Sequence, residues 1–364
     1  MVQPQPGNAA HTGADPPRLI SLLLEIYNPV VTDTVRHMLR PQFGLSDKSL
    51  VEDADWTQPS QPTVRRPAGF PVGCPIAAEQ KLLLHVGLFF ATLVSTFYVG
   101  GTMNPGGFNI WTGLGYSISI MAILTAHEVA HYLMAKRHGV AASLPYFVPF
   151  PSLPGVIWSP FGTMGAVIVM KSRMPDRRAL LDISAAGPIA GFVVTLFVAV
   201  VGLSLSTVSP IYGFDGQTGI MLGDPLLLKA MQWLVLGPIP QGEVVVLHPI
   251  AYAAWAGLFV TALNLIPFGQ LDGGHIVYAF WPHRHRMIAH TATAGLIVLA
   301  IQVSPIWTLW AILGVAFGGK HPTPLSIYIP LDRRRRLVAY ACGAILLLTF
   351  MHNPIDVSAP SLAP

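Results

Sequence analysis

Between Leu82 and Met351 the chain alternates apolar runs of roughly membrane-spanning length with short polar joins. The runs fall at 82–102, 112–135, 179–206, 249–268, 287–303, 305–318 and 337–351. A bilayer crossing takes about 20 mostly apolar residues. The last two runs are short, and Ser304-Pro305 interrupts the fifth and sixth, so the pattern predicts about six to seven crossings. Composition agrees: 21 basic and 17 acidic residues among 364 make only 10% charged, against 52% hydrophobic. A soluble domain carries about 25% charge. So few charges do not coat a soluble surface, and so apolar a chain does not stay disordered. The predicted class is an all-α polytopic membrane protein. Cys74 and Cys342 are far apart and form no metal or disulfide pattern.

Charge is distributed unevenly. Residues 1–81 hold 15 of the 38 charged side chains and are rich in Pro, Gln, Asp and Arg. They read as a partly disordered cytoplasmic segment with no signal-peptide-like start, although 19–43 mixes apolar and charged residues as a small folded element does. If this segment is cytoplasmic, successive crossings bring 136–178, 269–286 and 319–336 to the same side. That side then holds 20 of the 21 basic residues, with Lys229 the exception. The excess fits the positive-inside pattern, and it accounts for the net charge of +4 without nucleic acid. The chain divides accordingly into 1–81, a core at 82–282, and C-terminal helices and tail at 283–364.

The segment 143–170 has a different texture. Prolines 145, 149, 151, 154 and 160 forbid a continuous helix, yet it has no formal charge. Non-helical backbone at membrane depth must be buried in protein or line a wet cavity. It reads as a re-entrant loop followed by an extended stretch, Thr163–Met170, rich in strand formers. The alternative is a loop lying on the membrane surface.

The second apolar run contains His127-Glu128-Val129-Ala130-His131. Residues i and i+4 share a helix face, so both imidazoles reach one ion. Neutral imidazole suits zinc, and the intervening glutamate is placed to take a proton from water. Ionisable groups in an apolar helix are costly and mark function. A catalytic zinc takes three protein ligands. Asp272, in Asn264-Leu-Ile-Pro-Phe-Gly-Gln-Leu-Asp272-Gly-Gly-His275, is the candidate third. It falls near the same end of its run as His131, with Pro267 and Gly269 set to break the helix before it. His275 stands as an alternative ligand, and Asp272 as a cap for a short helix at 274–282 is the competing reading.

HExxH in one apolar helix, with N-x-x-P-x-x-x-L-D-G in a later one, resembles the site-2 protease family of intramembrane zinc metalloproteases. Phe161-Gly-Thr-Met-Gly165-Ala and Ala186-Gly-Pro-Ile-Ala-Gly191 match further pieces, so the resemblance covers about residues 82–282. It implies a three-helix core around one Zn2+, with His127, His131 and Asp272 as ligands and Glu128 as general base. It also implies a catalytic role for Asn264 at the substrate carbonyl, and substrate binding by Gly162, Thr163, Met164 and Gly165. The expected substrate is a membrane-anchored, single-pass protein cleaved in or near its transmembrane segment. The 207–248 loop is too short for a PDZ-like insertion, and no nucleotide-sensing domain is expected after the last run. The branch is expected to be bacterial or plastid-type, and the location a bacterial inner membrane with the active-site end cytoplasmic. The competing class is a metal-ion transporter or channel lined by the same His, Glu and Asp. The Gly187-x-x-x-Gly191 pair reads as helix packing, His283, His285 and His290 as solvated interfacial groups, and Arg333–Arg336 as a headgroup anchor. Oligomeric state is not legible.

Overall fold

A computed structural model describes residues 75–104, 106–152, 159–210, 221–319, 321–326 and 328–356. The expectations for the segment before residue 75, for Pro154 and its neighbours at 153–158, and for 211–220 lie outside the described residues.

The first two helices are α1 (Pro75–Thr102) and α2 (Ile110–Arg137). Asn109 sets the start of α2: its Oδ1 accepts the Trp111 and Thr112 amides at 2.8 and 3.2 Å. Gly139, at φ 68°, closes the helix, and the Val140 amide returns to the Ala135 carbonyl at 2.9 Å. The Pro-rich segment then forms a hairpin, β1 (Tyr146–Pro149) with β2 (Thr163–Val167), paired antiparallel. Pairing continues to Met170 through Ser143 and Val169 and the Ala142–Met170 bridge. The extended stretch expected at Thr163–Met170 is therefore present, with Met164 and Val167 exposed.

Asp176 caps α3 (Arg177–Ser204) by accepting the Ala179 amide at 2.8 Å. The 207–248 loop, which offers little periodicity, holds more order than its sequence suggests. It contains β3 (Thr207–Pro210), β4 (Met221–Leu222), the helix α4 (Leu226–Leu236) and β5 (Glu243–Val246). β3 pairs with β5. Then follow α5 (Pro249–Leu265), opened by a proline at its first position, α6 (Asp272–Phe280), α7 (His285–Gln302), α8 (Trp307–Phe317) and α9 (Arg333–Thr349). The tail strand β6 (Ile355–Asp356) pairs back onto β4.

All seven apolar runs are helical. Three of the described helices, at Leu82–Thr102, Ile110–Arg137 and Arg177–Ser204, are long and apolar enough to cross a membrane by length and composition. α2, α3 and α5 pack on one another as the central unit. Ile120 and Leu124 from α2, Leu203 from α3 and Trp255 and Leu258 from α5 share one buried cluster. α1 covers α2, α6 lies against α3, and α7 and α8 pair with each other.

One end of this bundle is tied by a polar knot. Asp182 of α3 receives the Arg335 guanidinium of α9 (Nη2 at 2.6 Å, Nε at 2.9 Å) and His138, which follows the last residue of α2, at 2.9 Å. Arg335 thus turns inward, unlike the headgroup anchor expected of the Arg333–Arg336 run. The knot gathers the basic ends of α2, α3 and α9 on one face of the bundle. A partly buried, bidentate charge pair with a third donor contributes about 2 kcal/mol. We expect Asp182→Ala to lower stability by about that amount, read as a reduced thermal midpoint of the detergent-purified protein, with Asp182→Asn losing less.

Candidate metal centre

His127 and His131 sit one turn apart on α2, both buried along with Glu128. Asp272 reaches them from the first residue of α6. α5 stops at Leu265, the chain turns through Pro267 and Gly269 (φ 62°), and α6 restarts at Asp272. This break aims the aspartate sideways at α2. Gly273 makes the approach possible, because a Cβ there would overlap the Leu265 carbonyl.

Three atoms converge. Asp272 Oδ2 is 3.4 Å from His127 Nε2 and 3.3 Å from His131 Nε2, and the two imidazole nitrogens are 3.1 Å apart. A tetrahedral zinc with bonds of about 2.0–2.1 Å separates its ligand atoms by about 3.3–3.4 Å. The donor set therefore fits one zinc ion by spacing and by chemistry, and it is the group of three or more such side chains, among the described residues, whose donor atoms come together in this way.

His131 is held in the tautomer a ligand needs. Its Nδ1–H donates to the Ile183 carbonyl at 2.7 Å, which leaves the Nε2 lone pair facing Asp272 and His127. That carbonyl lies in the turn of α3 that Pro188 loosens, since proline removes the amide bond to Ser184. Gly187 supplies the space: any Cβ there would overlap the His131 ring. Gly191 faces His127, where a Cβ would sit 3.3 Å from the ring. The Gly187/Gly191 pair is thus more than helix packing, and it corrects that expectation: the missing side chains are filled by the two imidazoles. Ile183 and Gly187 carry the site without showing it in sequence. The Gly-Pro dyad was the available signal.

Asn264, near the end of α5, points its Nδ2 at His127 Nε2 from 3.4 Å. Glu128 forms no hydrogen bond among the described residues, and it is close enough to His131 and Asp272 for their charges to act on it. His275 does not join the cluster. Its Nδ1 is 2.6 Å from His321 Nε2. Gly162, Thr163, Met164 and Gly165 lie on the hairpin, and no hydrogen bond or ion pair joins them to the three converging residues among the described residues. Thr163 Oγ1 donates to the Val148 carbonyl at 2.9 Å, and Ser95 donates to the Gly162 carbonyl at 2.6 Å, so this turn is fixed against α1.

The family described as Peptidase family M50 matches residues 115–305. The "Probable zinc metalloprotease EGY2, chloroplastic" of Oryza sativa subsp. indica is 30% identical over 253 residues, 67% of this chain and 42% of that protein. The "Probable zinc metalloprotease EGY1, chloroplastic" of Arabidopsis thaliana is 33% identical over 201 residues, 55% of this chain and 35% of that protein. The "Probable zinc metallopeptidase EGY3, chloroplastic" of Arabidopsis thaliana is 28% identical over 252 residues, 64% and 42%. The chain spans about two fifths of the length of these curated relatives. No solved structure matches.

If Gly187 is the space His131 occupies, Gly187→Ala should weaken zinc retention about tenfold or more. Gly295→Ala, where a Cβ meets nothing within 4 Å, should leave it unchanged. Zinc per purified chain after graded chelation measures both.

Proposed function

We propose that this chain, which belongs to Peptidase family M50, the site-2 protease family, is an intramembrane zinc metallopeptidase that hydrolyses a peptide bond in or near the transmembrane segment of a membrane-anchored protein. The observation that carries the reading is the convergence of Asp272 on His127 and His131, which stand with Glu128 in a helix long enough to cross a bilayer. None of the three relatives named above is described as a transporter or channel.

His127, His131 and Asp272 would hold the ion. Zinc, when bound there, polarises water and the scissile carbonyl. Glu128 takes the proton from the attacking water and returns it to the leaving amine. Burial of Glu128 excludes competing solvent from that transfer. Asn264 donates its Nδ2–H toward the carbonyl oxygen as negative charge develops.

A substrate helix hides its carbonyls in i to i+4 bonds and must unwind before attack. β2 offers a place for the unwound strand. β1 covers one edge of it, and no strand pairs with the other among the described residues. The left-handed Gly165 (φ 97°) and the exposed Met164 present that edge outward. Gly162, Thr163, Met164 and Gly165 act here as the substrate-binding turn. The substrate read here is a single-pass protein, the class that the family resemblance implies. Residues 82–282 form the proteolytic core, 283–364 the C-terminal helices, and 1–81 a cytoplasmic segment. The 20-to-1 division of basic residues supports an inner-membrane orientation with the basic end, and the zinc site near it, on the cytoplasmic side.

Two outcomes test this. Purified Glu128→Gln should keep its zinc and lose cleavage of a transmembrane peptide by about 10²–10⁴-fold. Cleavage equal to wild type would remove Glu128 from the mechanism. Separately, Met164→Pro should abolish cleavage with zinc content unchanged, because proline cannot donate to an added strand. Undiminished cleavage would exclude strand addition at β2.

A further inference from the structure

The turn that leads into β2 is held by hydroxyls from three helices. The carbonyls of Pro160, Phe161 and Gly162 follow one another in sequence, and each accepts a hydroxyl from a different helix. Tyr252 of α5 donates to Pro160 at 3.2 Å, Tyr116 of α2 to Phe161 at 2.9 Å, and Ser95 of α1 to Gly162 at 2.6 Å. The Gly162 backbone lies directly on α1: at φ 72°, a Cβ there would stand 2.8 Å from the Ser95 carbonyl oxygen and from Thr96 Cα. The Phe161 ring packs against Tyr252, Trp255 and Phe259, at 6.2, 6.1 and 6.4 Å, and those three rings stack along one face of α5. A buried carbonyl needs a donor, and one neighbour could supply all three. Donors from three helices also fix the turn in space.

Two of these helices also carry the candidate site. Tyr116 precedes His127 by eleven residues on α2, about 16 Å along the helix. Tyr252 precedes Asn264 by twelve residues on α5, about 18 Å. The far end of the extended stretch is tied as well. Met170 bridges Ala142, and the Lys171 amide donates to the Ala141 carbonyl at 2.7 Å, just beyond the end of α2. The stretch is thus held at the level of Tyr116 at one end and at the foot of α2 at the other. Between them it passes the level of His127 and His131. Successive strand residues stand about 3.3 Å apart. A displacement of that size brings a different peptide bond of an added strand to the metal centre.

We infer that Ser95, Tyr116 and Tyr252 are positioning residues: their hydroxyls set the register of β2 along α2, and thereby which peptide bond of a substrate strand meets the metal centre. The consequence for cleavage rests on the proteolytic reading above, whereas the placement of β2 does not. The three hydroxyls act through the backbone of the turn rather than on the reacting atoms. Tyrosine and phenylalanine differ by the hydroxyl alone. Tyr→Phe therefore removes each bond and keeps the aromatic packing.

Two measurements on the detergent-purified full chain separate placement from cleavage. For placement, a nitroxide is attached at Val167→Cys, an exposed position of β2, with Cys74→Ser and Cys342→Ala removing the native thiols. One equivalent of copper(II) is loaded at His127, His131 and Asp272, a donor set that suits it. Electron paramagnetic resonance then reads the copper–nitroxide distance. One distance is expected without further substitution. Tyr116→Phe/Tyr252→Phe, and separately Ser95→Ala, should shift or broaden it by about 3.3 Å, one strand residue. Thr261→Val should not, because that hydroxyl donates within α5, to Gly257. A distance unchanged in both sets of variants would overturn the inference. For cleavage, the same hydroxyl variants act on a transmembrane peptide, and the products are weighed. Cuts one or two residues from the wild-type bond are expected, with kcat lowered by up to about 10²-fold and zinc content unchanged. Wild-type products at wild-type kcat would overturn the role in register, even with a lowered thermal midpoint. A wild type that cleaves nothing would overturn the proteolytic reading instead, and the distance would still decide the placement of β2.

Discussion

Asp272 can meet His127 and His131 only if the polypeptide stops being a helix at one particular place. The two histidines are presented by an uninterrupted α2, where i and i+4 spacing does all the work. The carboxylate cannot be presented that way. It must leave the line of α5, turn through Pro267 and Gly269, and enter α6 at its first residue with its side chain directed across the bundle. Three polar groups in an apolar interior are tolerable only in one another's company. The tight seat of Gly273 on the end of α5 and the Gly187 hollow that receives His131 both serve that meeting.

Much of this was legible before any coordinates. HExxH announces its own geometry, and the Pro and Gly before Asp272 announce a break, because both act through local backbone chemistry. The extended stretch after Thr163 was legible for the same reason: five prolines exclude a helix, and β-branched residues follow. The hollow at Gly187 was not. It depends on which face of α3 meets α2, and small residues at every fourth position serve lipid-phase packing equally well. The sequence could show that Gly187 and Gly191 lie on one face but not that two imidazoles would fill it.

Order in the 207–248 loop was illegible for a different reason. Its strands are two to four residues long and are stabilised by partners far away. β4 pairs with the C-terminal β6, and the Trp255 indole donates to the Gly223 carbonyl at 2.7 Å. Such elements have no period of their own. The inward turn of Arg335 belongs to the same class, since a run of four arginines reads as a solvated anchor until Asp182 is placed beside it. His285 likewise looked like one of several interfacial histidines, and only tertiary packing reveals that it is enclosed.

The hollow at Gly187 also restricts how the molecule moves. A helix that lends a vacancy to its neighbour's side chain is keyed to it like a lock with a single ward. Sliding α3 along α2 would move the Gly187 hollow off the His131 ring and break the bond to the Ile183 carbonyl. α3 and α2 therefore travel together. Any relative motion of the helices falls elsewhere on the perimeter, among elements that do not share atoms with the histidines in this way.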